Sequence, residues 1–344
     1  MNVKMLAAAI AVAGGLVTGT AMGATYSFKL VDKIALPTPP GHGDWVAYDP
    51  GNGDVYVSMP NDMAVIDTKT NKVIADVKPI DSPNTMAFDK DYVYETEGPG
   101  TGKPNYVVVI SKKDWKIVDK VETKGTSPDG TWIDPANHMF YTASDDNNWL
   151  EAYDISDGAH PKFVKKIALW PEKGSGPDAG TRAPDSSNLY ASDDSWEEMV
   201  DPKAGTVGPK INLPIKVTKK GGTKGQFYDP KTDALWVATT LGGSAKDGVF
   251  LLNPKTLAIE KVLPAKKAEI DQLSWDPDLG RAYSFQSAAK GFGVYDTNTD
   301  KFIQFVKTGG KIEHTGDVDL ANHEIYILDG GHAQMLVYKP VKAG

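Results

Sequence analysis

One pattern recurs seven times along the chain: an apolar or aromatic pair, an aspartate, a short polar turn and an aromatic residue. The seven aspartates are Asp49, Asp89, Asp134, Asp185, Asp229, Asp276 and Asp319. The aromatic residue follows seven positions later in five copies and five positions later in the other two. Successive aspartates are 40 to 51 residues apart, a repeat length typical of four-stranded β-propeller blades. The sequence therefore predicts an all-β protein, a seven-bladed β-propeller.

Each repeat reads as two hairpins. Aspartate followed by proline, glycine or polar residues favours a reverse turn, and apolar segments such as 55–57 and 235–237 flank it as strands. A second hairpin covers 63–77, and no useful helical periodicity appears. The last repeat stops after its third strand at 335–338, so the N-terminal segment 26–31 is predicted to supply the missing outer strand. Such closure leaves no open sheet edge.

Several short motifs also carry a resemblance to a known family. Ala-Tyr-Asp-Pro at 47–50, Val-Tyr-Val-Ser at 55–58 and Val-Ile-Asp-Thr-Lys-Thr-Asn-Lys-Val at 65–73 resemble the YVTN-type (YncE-like) bacterial β-propellers. The resemblance covers essentially the whole mature chain and implies the fold. Related propellers include lactonases, streptogramin lyases, heavy subunits of amine dehydrogenases and the haem d1 domain of nitrite reductase, so a shared fold does not select a function.

The N-terminus predicts export. Residues 1–23 combine a basic start at Lys4, a short apolar run and small residues at Ala21 and Gly23, which suit the −3 and −1 positions of a signal peptidase site. We therefore predict a signal peptide at 1–23, a single propeller domain at 24–344, a periplasmic location and no membrane span in the mature chain.

Composition excludes several classes of function. The formal charge of −8 becomes −9 when the signal leaves with Lys4, so nucleic-acid binding is not expected, whereas cations or a basic periplasmic protein are suitable partners. The chain has no cysteine, which excludes disulfides, thiolate metal sites, covalently attached haem and cysteine nucleophiles. No phosphate loop, serine elbow or dinucleotide fingerprint is present.

Polar residues begin all seven predicted innermost strands. Because these strands surround the propeller axis, their first residues should form a ring around one mouth of the channel. This strand-start ring consists of Asp44, Asn84, Asp129, Asp178, Lys224, Asp271 and His314. We predict that the ring binds a small ligand, although aspartate and asparagine at such positions also serve ordinary turn chemistry.

Histidines concentrate where the last and first repeats meet. His42 precedes Asp44, His314 begins the last inner strand, and His332 lies in a loop on the same predicted face. Ring closure should bring the three imidazoles together beside the carboxylates of Asp44 and Asp271. Imidazole with carboxylate binds divalent metals, so the predicted cofactor is a metal ion, copper, zinc or calcium.

The same face carries acidic residues that read as a solvated rim or as a docking surface for a basic partner. They are Glu95, Glu97, Asp145, Asp146, Asp193, Asp194, Glu197 and Glu198. The leading hypothesis is a binding or interaction protein with a polar central pocket for a small ligand or metal ion. Two alternatives remain open: a metal-assisted, lactonase-like hydrolase or lyase, and the propeller subunit of a periplasmic redox enzyme.

Overall fold

A computed structural model describes residues 26–99, 102–170, 177, 180–183, 187–215, 222–239, 248–266 and 270–342. The predicted signal peptide, Asp178 and the repeat aspartate Asp185 lie outside these residues. Every strand in the described part belongs to one of seven four-stranded antiparallel sheets, which stand as blades in a ring. The predicted all-β, seven-bladed propeller is confirmed.

The blades are numbered in chain order. The described part of the chain starts with strand β1 (Tyr26–Ala35). Blade 1 contains β2 (Val46–Asp49), β3 (Asp54–Met59), β4 (Asp62–Asp67) and β5 (Lys72–Val77). Blade 2 contains β6 (Pro83–Phe88), β7 (Tyr92–Glu97), β8 (Tyr106–Ser111) and β9 (Lys116–Glu122). Blade 3 contains β10 (Pro128–Asp134), β11 (Met139–Ser144), β12 (Trp149–Asp154) and β13 (Lys162–Ala168).

The second half of the ring repeats this order. Blade 4 contains β14 (Gly180–Arg182), β15 (Leu189–Asp193), β16 (Trp196–Asp201) and β17 (Thr206–Asn212). Blade 5 contains β18 (Thr223–Asp229), β19 (Ala234–Thr239), β20 (Gly248–Leu252) and β21 (Ile259–Pro264). Blade 6 contains β22 (Leu273–Asp276), β23 (Arg281–Gln286), β24 (Gly291–Asp296) and β25 (Lys301–Lys307). Blade 7 contains β26 (Gly316–Asp319), β27 (Glu324–Asp329) and β28 (Gln334–Lys342), completed by β1.

Helical structure in the described residues is limited to short 3-10 turns. They lie at Pro135–Asn137, Asp145–Asn147, Ser287–Ala289 and Gly330–His332. Over the same residues, the structure contains no helix with the length and apolar character needed to cross a bilayer.

The ring closes as the sequence predicts. β1 pairs with β28 from Tyr26 opposite Lys342 to Ala35 opposite Gln334, with one irregularity in register. The inner strands of blades 1 and 7 also meet, because the backbone N–H of Tyr48 donates a 2.8 Å hydrogen bond to the Asp317 carboxylate. Residues from the two ends of the chain are therefore neighbours.

Apolar side chains fill the spaces between blades. Seven buried clusters occupy the seven interfaces among the described residues. The cluster between blades 7 and 1 contains Val46, Val57, Leu328 and Val337. This interface is packed like the other six, so burial of apolar surface holds the ring shut without a disulfide.

The repeat aspartates serve the turns. In five of them Oδ1 accepts a hydrogen bond from the backbone N–H two residues later, as Asp49 does from Gly51 at 2.8 Å. The same bond is made by Asp89, Asp229, Asp276 and Asp319. In blade 1 the other carboxylate oxygen of Asp49 accepts a hydrogen bond from the Tyr56 hydroxyl at 2.8 Å. The recurring aspartate and aromatic residue are thus partners in blade 1, and Tyr94 and Asp89 repeat the bond in blade 2.

Candidate functional site

Four members of the strand-start ring converge on one cavity at the channel mouth. Asp129 and Lys224 lie near the starts of β10 and β18, and Asp44 and Asp271 lie just before β2 and β22. They line a cavity of about 100 Å³, called here the central pocket. Its lining residues are Asp44, Trp45, Thr85, Asp129, Lys224 and Asp271.

Two histidines stand beside the central pocket. The imidazole rings of His42 and His314 are 4.4 Å apart between centroids and tilted by 35°. One donor atom each from His42, Asp44 and His314 lies within 4.8 Å of the others, and the described residues contain no second group of three such side chains. His42 is exposed, Asp44 is half-buried and His314 is only 4% exposed. Ring closure brings these residues together from positions about 270 apart in the sequence.

His314 is fixed by Asp271. Its Nδ1 lies 2.6 Å from Oδ2 of Asp271, which joins the start of blade 7 to the start of blade 6. Both ring nitrogens are buried, and the ring also contacts the backbone of Gly43. A carboxylate that holds one imidazole nitrogen is the arrangement found behind metal-bound histidines.

The electrostatics of the site follow from burial and this pairing. Burial alone lowers the pKa of His314, but its hydrogen bond to Asp271 and the charges of Asp271 and Asp44 raise it overall. Burial favours the neutral form of Asp271, yet His314 and then Lys224 hold the pKa of that carboxyl well below its usual range.

Two other carboxyls of the central pocket titrate above their usual range. Burial raises the pKa of Asp44 against the opposing charges of His314 and His42. Burial also raises the pKa of Asp129, and the negative charge of Asp44 adds to the effect. Positive charge in the pocket therefore stabilises its ionised carboxylates.

Gln272 positions these groups and was missed from the sequence. Its Nε2 donates a 2.6 Å hydrogen bond to the carbonyl of Val46, and its Oε1 accepts hydrogen bonds from Thr315 and Gly316. Gln272 therefore ties blades 6, 7 and 1 together beside Asp271. Its only sequence signal is its place directly after a ring residue.

Asn84, another member of the strand-start ring, is not among the described residues that line the central pocket. The Asn84 side chain donates a 2.8 Å hydrogen bond to the carbonyl of Pro128 in the next blade, and the following residue, Thr85, lines the central pocket instead. Register is irregular at this point of β6, which interrupts the simple alternation of faces. Asp178 lies outside the described residues.

His332 lies near the site without joining the cluster. Its loop is adjacent, since the N–H of Gly41 donates a 2.9 Å hydrogen bond to the carbonyl of Gly330. Its ring, however, is held by the buried carboxylate of Asp329, with Nδ1 2.8 Å from Oδ2. Gln334 donates a hydrogen bond to the same oxygen.

The predicted solvated acidic rim is wrong for most of its members. Glu95, Asp193, Glu197 and Glu198 are fully buried and Glu97 is 5% exposed. They lie in strands β7, β15 and β16, so most of the predicted docking surface is not available to a partner. Burial raises the pKa of both Asp193 and Glu198 to about 8.

Comparison with known proteins confirms the fold and no narrower relationship. No family model matches the chain, and no curated protein matches it in sequence. A chain of Kuenenia stuttgartiensis hydrazine synthase is similar with a TM-score of 0.71 and 14% identity, over 89% of this chain and 97% of that one. A chain of a mitotic checkpoint complex is similar with a TM-score of 0.73 and 10% identity, over 100% of both chains. At such identities the likeness concerns the fold alone.

Proposed function

We propose that this propeller is a periplasmic binding protein that holds a divalent transition-metal ion at the edge of the central pocket through His42, Asp44 and His314. The proposal depends on one observation: donor atoms of these three side chains lie within 4.8 Å of one another. Two imidazoles and one carboxylate suit zinc or copper. The periplasmic location rests on the signal-like residues 1–23, and membership of the YVTN-type family rests on the sequence motifs.

The surroundings of the three side chains support this assignment. Asp271 pairs with His314 at Nδ1, so we assign Nε2 to the metal, which would replace the contact of the ring with the backbone of Gly43. His42 is exposed and gives the ion a route from solvent. Asp271 acts as a positioning residue, because its carboxylate pairs with the imidazole of His314.

A second candidate function is metal-assisted hydrolysis. Three protein ligands leave at least one position of a tetrahedral ion open, as in catalytic rather than structural sites. The adjoining cavity of about 100 Å³ is large enough to hold water. A metal-bound water beside carboxylates is the arrangement that such hydrolysis requires.

Metal binding tests the proposal directly. Metal-free protein titrated with Zn²⁺ and with Cu²⁺ in a calorimeter should bind one ion of either type per chain. His42→Ala and His314→Ala should each reduce this binding sharply. His160→Ala is the matched control, because His160 is an exposed histidine paired with Asp119 far from the pocket. Absence of binding to the wild-type protein, or equal binding by all variants, would overturn the proposal.

A further inference from the structure

Among the described residues that line the central pocket, Lys224 is the one cationic side chain, and the others supply carboxylates, a hydroxyl and an indole. Its charge acts favourably on Asp44, Asp129 and Asp271, and also on the nearby Asp145. A lysine ammonium is a compact point charge on a flexible stem. It serves here as a counterion for carboxylates from blades 1, 3 and 6.

The backbone of Lys224 is anchored on both sides. The preceding residue, Thr223, donates its backbone N–H to the carbonyl of Asp194 in blade 4. The following residue, Gly225, donates its N–H to the carbonyl of Asp271 at 2.7 Å. A Cβ at Gly225 would lie 2.6 Å from that carbonyl oxygen, so only glycine allows this approach. The lysine stem therefore starts from a fixed point at the pocket wall.

The central pocket has two chemically different sides. Beside blades 7 and 1 stand the imidazoles of His42 and His314. The remaining lining offers the carboxylate of Asp129 and the hydroxyl of Thr85, and the carboxylate of Asp271, which pairs with His314, connects the two sides. Oxygen donors of this kind, together with water, are the ligands preferred by Ca²⁺ and Mg²⁺. Without a resident positive charge, the carboxylate side would attract such hard cations.

We propose that Lys224 is a specificity-determining residue: its tethered ammonium occupies the carboxylate side of the central pocket and excludes calcium and magnesium. This inference rests on the proposed function. The ammonium of Lys224 would explain why the site binds a transition metal, and why the metal binds only beside the imidazoles. A free divalent ion must displace the ammonium or share the pocket with it. At separations of a few ångströms, repulsion between a divalent ion and an ammonium weakens binding by tenfold or more, on the order expected for charges near a protein surface.

Calcium titration of a lysine variant tests the inference. Metal-free wild-type protein, Lys224→Met and Lys224→Arg are titrated with CaCl₂ alone. Lys224→Met should bind Ca²⁺ at least about tenfold more tightly than the wild type, with a dissociation constant in the range of about 0.1–1 mM found for extracellular calcium sites. Lys224→Arg keeps the charge and should behave like the wild type.

The controls separate the possible failures. Lys116→Met is the matched substitution at an exposed lysine paired with Asp114, and it should leave calcium binding unchanged. If Lys224→Met does not fold, Lys224→Gln carries the same test. Equal calcium affinity in the wild type and the folded charge-removing variant would overturn the role of Lys224. Zinc binding by the wild type is measured separately, so its absence would count against the proposed function and not be confused with the calcium result.

Discussion

Two aspartate–histidine pairs join blade 6 to blade 7, one at each end of the inner strands. At the turn end, Nδ1 of His323 lies 2.8 Å from Asp276, whose side chain is fully buried while that of the histidine is 32% exposed. At the pocket end, Nδ1 of His314 lies 2.6 Å from Asp271, and here the histidine side chain is 5% exposed and that of the aspartate 34%.

The partners explain why the two pairs differ in role. Oδ1 of Asp276 also accepts hydrogen bonds from the backbone N–H groups of Asp278 and Leu279, so this carboxylate completes a turn. Asp271 instead faces the central pocket. Its histidine partner, His314, lies next to His42 and Asp44. The same two residue types thus build a turn at one end and a ligand site at the other. Their surroundings decide which.

Replacing the two histidines gives the largest expected contrast. His314→Gln removes a proposed ligand and should weaken Zn²⁺ binding by more than about 100-fold, beyond the loss expected for a residue behind the ligands. His323→Gln should change the affinity less than twofold, because the ring lies at the opposite end of the blade. Isothermal titration of both variants measures the difference. A similar loss in both would show that zinc binding does not distinguish the two pairs.

Replacing the two aspartates should produce the same contrast in Zn²⁺ affinity as replacing the two histidines, but a smaller one. Asp271→Asn weakens the hold on His314 and should lower Zn²⁺ affinity by about 10–100-fold, the usual cost of changing a group that orients a ligand. Asp276→Asn should leave the affinity unchanged. Competition with a coloured zinc chelator measures both. Unchanged affinity in Asp271→Asn would remove that residue from the positioning role.

Much of this architecture follows from local sequence. The repeat aspartates, their turn bonds and the complementary first and last strands are local features, and they fixed the blade count and the closure that brings His42 to His314. The fate of the Asn84 side chain depended on a contact distant in sequence, because it is held by the carbonyl of Pro128, 44 residues away. His332 is held by Asp329, three residues before it, and the sequence did not indicate that this local contact would keep the ring out of the cluster.

Burial of the acidic residues was also beyond local reasoning. The sequence predicts that Glu95, Asp193, Glu197 and Glu198 belong to a solvated rim or a docking surface. In the structure the strands extend through them, and their side chains lie within the ring. Whether a strand end is covered depends on the neighbouring blades, which a single repeat does not reveal.

A measurement of protein stability tests the role of Asp276, the aspartate of the pair at the turn end. Asp276→Ala leaves two backbone N–H groups without their acceptor and should lower the free energy of unfolding by about 1–3 kcal/mol. Asp278→Ala, at an exposed position in the same turn, should change it by less than about 0.5 kcal/mol. Urea unfolding followed by tryptophan fluorescence compares the two, and zinc affinity should remain unchanged in both. Equal stability would mean that the buried carboxylate does not support the turn.

The smallest expected effect is a pH dependence of stability arising at the pocket end. Burial and then the charge of Asp194 raise the pKa of Asp193 to about 8, and burial raises that of Glu198 to about 8. The folded chain therefore binds more protons than the unfolded chain between about pH 4 and 8, so stability is greatest at the acidic end of this window and falls as pH rises. The lowered pKa of Asp271 acts only below about pH 4 and does not oppose this trend.

Urea unfolding at pH 5.5 and 8.5 measures this pH dependence. The free energy of unfolding should be lower by at least about 1 kcal/mol at pH 8.5. Asp193→Asn and Glu198→Gln should each reduce that difference, because an amide has no proton to lose. A wild-type stability that is constant or rises over this range would contradict the burial of these carboxyls in the folded chain.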